Sequence, residues 1–157
     1  MEEFRPLKRA WVKEEFVILT GDWRRAVVLD QFLQLHCRVR QYDEVLREEF
    51  ERAQKYWRYG DPEVVEPKYR DGWIRQSIDE MVEESMLGGS RTRMMGDITK
   101  LVDGGWLERR QSPSAKMDKT YEYRVQVGRI AKDLHRLGYT LDGYTVPATP
   151  TDKDGDQ

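Results

Sequence analysis

Two serines that can each cap a helix stand on either side of a Gly-Gly pair, and this arrangement constrains the fold more than any other feature. Ser77 is followed three positions later by Glu80, the capping-box pattern that begins a helix. Ser90 precedes a second run in which apolar residues recur at helical spacing. The pattern predicts two short helices, at residues 78–85 and 91–103, joined by a tight glycine turn.

A pair of strands is predicted directly after the second helix. A second Gly-Gly pair, at residues 104–105, ends that helix, and residues 106–110 have the composition of a strand. A polar loop at 111–120 leads to a second strand at 121–127, and a final helix is expected at 128–137. Elements joined by short links usually pack together, so a helix pair followed by a hairpin predicts a winged helix-turn-helix.

The N-terminal half is predicted to be mostly helical. Asp22 is a plausible N-cap for a buried helix at residues 23–39, and a second helical stretch follows at 43–57. The pattern leaves open whether these are one long helix or a pair broken near residues 41–42. The apolar run at 16–19 is too short to type and favours a strand or an extended segment on the core.

The expected fold class is therefore mostly α with a small β-hairpin, an α+β winged helix-turn-helix with an extra N-terminal helical insertion. Residues 1–139 form the predicted domain, and residues 140–157, rich in Pro, Thr and Asp, form a flexible tail. The stretch at 43–67 is the insertion and a candidate dimerisation element. The aromatic residues at positions 56, 57, 59, 69 and 73 suggest burial, with a ligand pocket or a partner surface as alternatives.

Composition places the chain among water-soluble proteins of a reducing compartment. No apolar run approaches the roughly 20 residues that span a bilayer, and no signal peptide is visible. A single cysteine, Cys37, cannot form an internal disulfide, so a cytoplasmic location is expected. His36, Cys37 and His135 are too few for a zinc site. No cofactor, metal or catalytic motif is predicted, so we expect that the protein is not an enzyme.

Charge is distributed unevenly along the chain. The formal net charge of the 157 residues is −2, which by itself argues against a nucleic-acid partner. Residues 90–136, however, contain 11 Lys+Arg against 6 Asp+Glu, a net charge of +5. Binding to a polyanion depends on the local surface rather than on the total charge.

The second predicted helix has the composition of a DNA-recognition helix. Met94, Ile98, Leu101 and Val102 form one core-facing stripe, and the opposite face is polar and basic. Arginine can bind guanine bidentately, threonine can reach a phosphate or a base, and a glycine lets DNA approach closely. The candidate contacts on this helix are Ser90, Arg91, Thr92, Arg93, Met95, Gly96, Thr99 and Lys100.

The predicted hairpin has a basic tip suited to the phosphate backbone or a minor groove. Its candidate contacts are Arg109, Arg110, Lys116 and Lys119. The first helix of the pair carries Asp79, Glu80, Glu83 and Glu84, which would repel phosphate, and we expect this acidic face to point away from DNA.

These segments resemble the winged helix-turn-helix DNA-binding superfamily, through SIDEMVEES at 77–85 and SRTRMMGDITKLVDGGWLERR at 90–110. KTYEYRV at 119–125, with the amphipathic helix after it, and AVVLDQFL at 26–33 are similar to N-terminal domains of phage and mobile-element replication proteins, the replisome organisers. The likeness covers about residues 16–139. It implies origin or operator binding, often as a homodimer, together with a replication or transcription protein as partner.

Two functions follow as hypotheses. The first is double-stranded DNA binding in replication initiation or transcription control, with the helix at 90–103 in the major groove and the wing on the backbone. The alternative is a winged-helix protein–protein interaction module that does not bind DNA. The acidic total charge and Glu-rich helices favour this alternative. It predicts that Arg91, Arg93 and Lys100 are held in intramolecular ion pairs.

Overall fold

The computed structural model of the protein describes Phe4, residues 6–112 and residues 120–142. The order of elements in this part of the chain is α1 (Glu14–Thr20), α2 (Trp23–Lys55), β1 (Trp73–Arg75), α3 (Ile78–Ser85), α4 (Arg91–Asp103), β2 (Leu107–Gln111), β3 (Tyr121–Val125) and α5 (Val127–Arg136). The chain is a mixed α+β protein dominated by helix, as the sequence predicts. No helix within the described ranges is both long and apolar enough to cross a membrane.

A small antiparallel sheet forms one side of the molecule. The strand order is β1-β3-β2, so the central strand is the last in sequence. Tyr123 is the register partner of Ile74 on one side and of Arg109 on the other. The hairpin of β2 and β3 was predicted, whereas the three-residue strand β1 was not, because so short a segment has too little alternation to recognise.

The hydrophobic core lies between the first half of α2, the helix pair α3–α4 and the inner face of the sheet. Phe32 of α2 packs on the ring of Tyr123, with ring centroids 5.0 Å apart. The largest fully buried side chains are Phe16, Val27, Val28, Leu29, Phe32, Met81, Met94, Ile98, Leu101, Tyr123, Ile130 and Leu134. Burial of side chains of this size contributes about 1.5–3 kcal/mol each to folding.

The expectation of a strand or an extended segment at residues 16–19 is wrong, because this run lies within helix α1. Phe16 is 1% exposed and packs into the core from one face of the helix. Gly21 ends the helix in a left-handed conformation, and its N–H donates to the carbonyl of Val17. Phe16, with the partly buried Val17 and Leu19 beside it, packs this seven-residue helix against the core.

The two predicted helical stretches are one continuous helix, with no break near residues 41–42. The chain packs on the core beyond residue 139. Leu141 is 5% exposed and belongs to the core, so packing continues at least this far.

The last third of α2 extends beyond the core. Every buried residue of this helix lies between Arg24 and Asp43, and residues 51–55 are all exposed. Residues 56–70 then lead back to β1, where the Asp43 carboxylate accepts hydrogen bonds from the N–H groups of Arg70 (2.8 Å) and Asp71 (2.9 Å). We call residues 44–70 the arm.

The aromatic residues of the arm, together with Trp73 of β1, correct the expectation of burial. Tyr59 is fully exposed, and Tyr56 and Trp57 are 68% and 46% exposed. Tyr69 and Trp73 are half-buried, and each lies under an arginine side chain. The arm thus presents an aromatic surface to solvent.

Candidate nucleic-acid interface

Both predicted serine caps are confirmed. The Ser77 hydroxyl accepts from the N–H of Glu80 at 3.1 Å, and the Glu80 carboxylate accepts from the N–H of Ser77, which completes the capping box. The Ser90 hydroxyl accepts from the N–H of Arg93 at 3.1 Å and begins α4. Gly105, with φ of +83°, follows the end of α4, where only glycine adopts this backbone conformation without strain.

A buried arginine holds the turn between α3 and α4. Arg24, at the start of α2, is 4% exposed, and its Nε donates to Asp97 of α4 at 3.1 Å. Its two terminal nitrogens donate to the carbonyls of Leu87 (3.1 Å) and Gly88 (3.4 Å) in the turn. One guanidinium therefore fixes both the turn and the rotation of α4. The pairing joins residues 73 positions apart, so no local pattern could reveal it.

The orientation of α4 agrees with the predicted stripe. Met94, Ile98 and Leu101 are at most 1% exposed, and Val102 packs beside them. The face directed to solvent carries Thr92, Arg93, Gly96 and Lys100, all exposed. We call these four residues the ridge. Ser90 and Arg91, at the start of the helix, are exposed as well.

The charges on this face are only partly compensated. Arg93 and Lys100 form no ion pair with any residue in the described ranges. Arg91 pairs with Asp79 at 3.0 Å, and both side chains are about 70% exposed. The expectation that the acidic face of α3 points away is therefore wrong at Asp79, because the packing of α3 against α4 places this carboxylate beside the first residue of α4.

The other carboxylates of α3 are directed elsewhere. Glu83 accepts a hydrogen bond from Lys8 at 2.9 Å, and Glu84 lies 3.7 Å from the same ammonium. This contact raises the pKa of Lys8 and lowers that of Glu83, in each case chiefly through the hydrogen bond between them. The N-terminal segment, rather than α4, compensates this part of the acidic helix.

Two of the predicted DNA contacts on α4 are directed towards the sheet rather than into solvent. Thr99 accepts a hydrogen bond from the Arg109 guanidinium at 3.2 Å, and the sulfur of Met95 lies 3.8 Å from the same nitrogen. The guanidinium also lies over the ring of Tyr121, 5.0 Å from its centroid. Arg109 thereby connects α4 to the hairpin, a role that its position in a basic strand did not indicate.

The outer face of the sheet holds Arg110 and Arg124 in ion pairs. Arg110 pairs with Glu122 at 2.8 Å and lies 3.9 Å above the ring of Trp73. Arg124 pairs with Glu108 at 2.6 Å and lies above the same ring, 4.7 Å from its centroid. Lys116 and Lys119, the predicted tip contacts, lie outside the described residues.

An open cleft of about 290 Å³ separates α4 from the hairpin. Its lining comprises Gln76, Ser77, Ile78, Arg91, Met95, Thr120, Tyr121 and Tyr123. The Tyr123 hydroxyl is buried and has no hydrogen-bond partner within the described ranges. Burial raises the pKa of this phenol, and the nearby Arg109 charge opposes the shift without cancelling it. The Tyr123 hydroxyl therefore lies in the floor of the cleft, between the two candidate DNA-contacting elements.

No grouping of three or more His, Cys, Asp or Glu side chains in the described ranges could hold a metal ion. His36 is half-buried and Cys37 is exposed on α2.

No protein family model matches the chain, and neither curated proteins nor solved structures show a significant likeness to it.

Proposed function

We propose that the protein binds double-stranded DNA through a winged helix-turn-helix domain, in replication initiation or transcription control. In this proposal α4 enters the major groove, and the β2–β3 hairpin contacts the flanking backbone. The observation that carries the proposal is the ridge of α4, which is exposed and bears Arg93 and Lys100, cations without an ion pair in the described ranges.

The order of elements supports this assignment. The helix pair α3–α4 is joined by a glycine turn, and a hairpin follows at once, which is the arrangement of a winged helix-turn-helix. The sheet pairs this hairpin with β1, and Arg109 holds it against α4. The recognition element and the wing would thus approach DNA as one rigid unit.

The ridge has the chemistry of base and phosphate recognition. Gly96 has nothing within 4 Å of the position of an added Cβ, so the helix surface is open there. Thr92 and Arg93 flank this opening and provide a hydroxyl and a guanidinium, both used in base contacts. The exposed Arg91–Asp79 pair is worth at most about 1 kcal/mol, so a phosphate can compete for this arginine.

A binding experiment tests the proposal. After selection of a preferred site from a random DNA library, affinity is measured by fluorescence anisotropy at several salt concentrations. Arg93→Ala combined with Lys100→Ala should weaken specific binding by about 1–3 kcal/mol for each base that the variant no longer recognises. The slope of log affinity against log salt should fall by about 1 for each phosphate that is no longer neutralised.

The matched control is Arg38→Ala combined with Lys132→Ala. These two exposed cations lie on α2 and α5 and form no ion pair within the described ranges, so this variant removes the same charge away from the ridge. It should retain the parent affinity at moderate salt. Equal reductions in affinity for the two double variants would show that only net charge matters and that α4 is not the recognition helix.

A protein–protein interaction module remains the second candidate, and the ion pairs of Arg91 and Arg110 favour it. Each of these predicted DNA contacts has an intramolecular carboxylate partner, Asp79 and Glu122 respectively. Arg93 and Lys100 do not fit this candidate, because it predicts that they too are paired. Failure to select any DNA site from the random library, with the protein folded, would favour the module over DNA binding.

A further inference from the structure

The cleft between α4 and the hairpin holds a polar group that the fold itself does not use. The Tyr123 side chain is 1% exposed, and its hydroxyl has no hydrogen-bond partner within the described ranges. The Arg109 guanidinium lies close enough to influence this phenol, yet it donates at 3.2 Å to Thr99. Buried hydroxyls almost always have a partner, because an unsatisfied one loses its hydration without compensation. The Tyr123 hydroxyl therefore indicates a ligand that supplies the missing partner.

The charges around the cleft favour an anion. Arg91 lines it with a side chain that is 72% exposed, so this guanidinium lies at the solvent edge. Arg109 contacts two lining residues, Met95 and Tyr121, and forms no ion pair within the described ranges. None of the described residues that line the cleft is acidic. A ligand carboxylate can displace Asp79 from Arg91, because an ion pair as exposed as theirs contributes little.

The walls of the cleft suit a small ring. Ile78, Met95 and Tyr121 provide apolar and aromatic surface. The volume of about 290 Å³ is close to the lower limit for small-molecule sites, roughly 300 Å³. Met95 has a flexible thioether side chain, so it can move aside and let a ligand reach the Tyr123 hydroxyl. These dimensions and surfaces fit one aromatic ring with a polar group at each end.

We propose that the cleft binds a small aromatic carboxylate that also carries a hydroxyl group. Arg91 holds the carboxylate at the solvent edge, where a guanidinium can bind it through two hydrogen bonds. The ring packs between the apolar walls. The ligand hydroxyl reaches the floor and forms hydrogen bonds with the Tyr123 hydroxyl and with the side-chain amide of Gln76, a lining residue that is 6% exposed.

An NMR titration of the isotope-labelled full chain with para-hydroxybenzoate, without DNA, tests the proposal. The dissociation constant should be about 1 mM or lower, as expected for a ligand of about ten heavy atoms. The largest shifts should fall on the side-chain amide of Gln76 and on the backbone N–H groups of Arg91 and Tyr121. Benzoate, which lacks the hydroxyl, and para-hydroxybenzyl alcohol, which lacks the charge, should each bind about tenfold more weakly or worse.

Tyr123→Phe tests the floor of the site, because it removes the hydroxyl and keeps the ring. It should weaken binding of para-hydroxybenzoate about tenfold and leave that of benzoate unchanged. The melting temperature of the free protein should not fall, since the lost group is unsatisfied. The matched control is Tyr42→Phe, which removes a phenol that is 47% exposed and lies outside the cleft, and it should leave both affinities unchanged.

Arg91→Gln tests the edge of the site. It should weaken binding of both carboxylates about tenfold and leave that of para-hydroxybenzyl alcohol unchanged, because only the carboxylates use the guanidinium. Arg93→Gln is the matched control, since this exposed arginine lies on the same helix but does not line the cleft. It should leave the affinities of all three compounds unchanged.

No binding of any of the three compounds up to their solubility limits would overturn the proposal. So would shifts that map outside the cleft, or a Tyr123→Phe variant that loses equal affinity for para-hydroxybenzoate and for benzoate. None of these measurements includes DNA, so the ligand site stands or fails separately from the proposed function.

Discussion

Arg24 shows how one side chain can set the geometry of a surface that it never reaches. Its guanidinium is buried with the Asp97 carboxylate and also donates to two carbonyls of the α3–α4 turn. Replacing one member of such a pair leaves an uncompensated buried charge, which costs about 3–5 kcal/mol. The position of the ridge therefore depends on a buried contact beside it on α4, at Asp97.

Asp97→Asn should lower the free energy of unfolding by about 3 kcal/mol, because the Arg24 charge loses its buried counterion. Chemical denaturation monitored by tryptophan fluorescence measures this decrease. Arg25→Gln is the control, since Arg25 lies 3.9 Å from Asp97 with a side chain that is 30% exposed. Its effect should stay below about 1 kcal/mol, and similar effects of the two variants would show that Arg24 is not the essential partner.

His36 gives the fold a dependence on pH. Burial, and secondly the nearby Arg40 charge, lower the pKa of this imidazole in the folded protein. The unfolded chain therefore takes up a proton at a higher pH than the folded chain does. The contribution of this group to stability is fully present above its unfolded pKa, and it is lost as the pH falls from there through the lower pKa of the folded protein.

Urea denaturation from about pH 7.5 down to about pH 5.5, where a histidine titrates, should show this decline in stability. In His36→Gln, which has no imidazole at this position, the decline over the same interval should be smaller. An unchanged decline would assign the pH dependence to other groups.

At the scale of a single element, the N-cap of α4 allows folding and the proposed DNA recognition to be tested separately. The Ser90 hydroxyl satisfies the Arg93 N–H, and Ser90→Ala should cost about 1 kcal/mol of stability. Ser90→Asp keeps a capping oxygen and should keep the stability. It also places a negative charge beside the proposed phosphate path, so DNA affinity should fall while the melting temperature does not. Equal DNA affinity of Ser90→Asp and the parent protein would remove the start of α4 from the interface.

Elements defined by local chemistry were the ones that sequence reasoning could recover. Helices α3 and α4 were predicted with their bounds because Ser77 and Ser90 cap them and glycines follow them. Helix α1 was missed because a four-residue apolar run has no readable period, and its helical form depends on packing against α2. Strand β1 exists only through its pairing with β3.

The same distinction applies to the candidate site. Helical periodicity was enough to identify the exposed ridge, since Met94, Ile98 and Leu101 define the opposite face. The intramolecular partners of the arginines beside the ridge could not be predicted from the sequence. Arg91 of α4 pairs with Asp79 of α3, and Arg109 of β2 donates to Thr99 of α4. Whether these arginines are available to contact DNA therefore depends on distances between elements that the sequence does not give.

At the scale of the whole molecule, a chain with a net charge of −2 still offers a local cationic surface. The carboxylates of α3 near its C-terminus contact Lys8, and those of the sheet contact Arg110 and Arg124. Among the described residues, the charge left uncompensated on the ridge is positive, at Arg93 and Lys100. Total charge is therefore a poor guide to the charge of this surface.

The unbroken course of α2 has a geometric consequence. An α-helix converts each added residue into about 1.5 Å of length and about 100° of rotation. The buried Arg24 anchor lies near one end of this rigid helix and the exposed aromatic residues of the arm follow its other end, so a single inserted residue would rotate one relative to the other. Natural variation in the length of this helix should therefore come in whole heptads, whereas the chain returning from its tip to β1 is free to change one residue at a time.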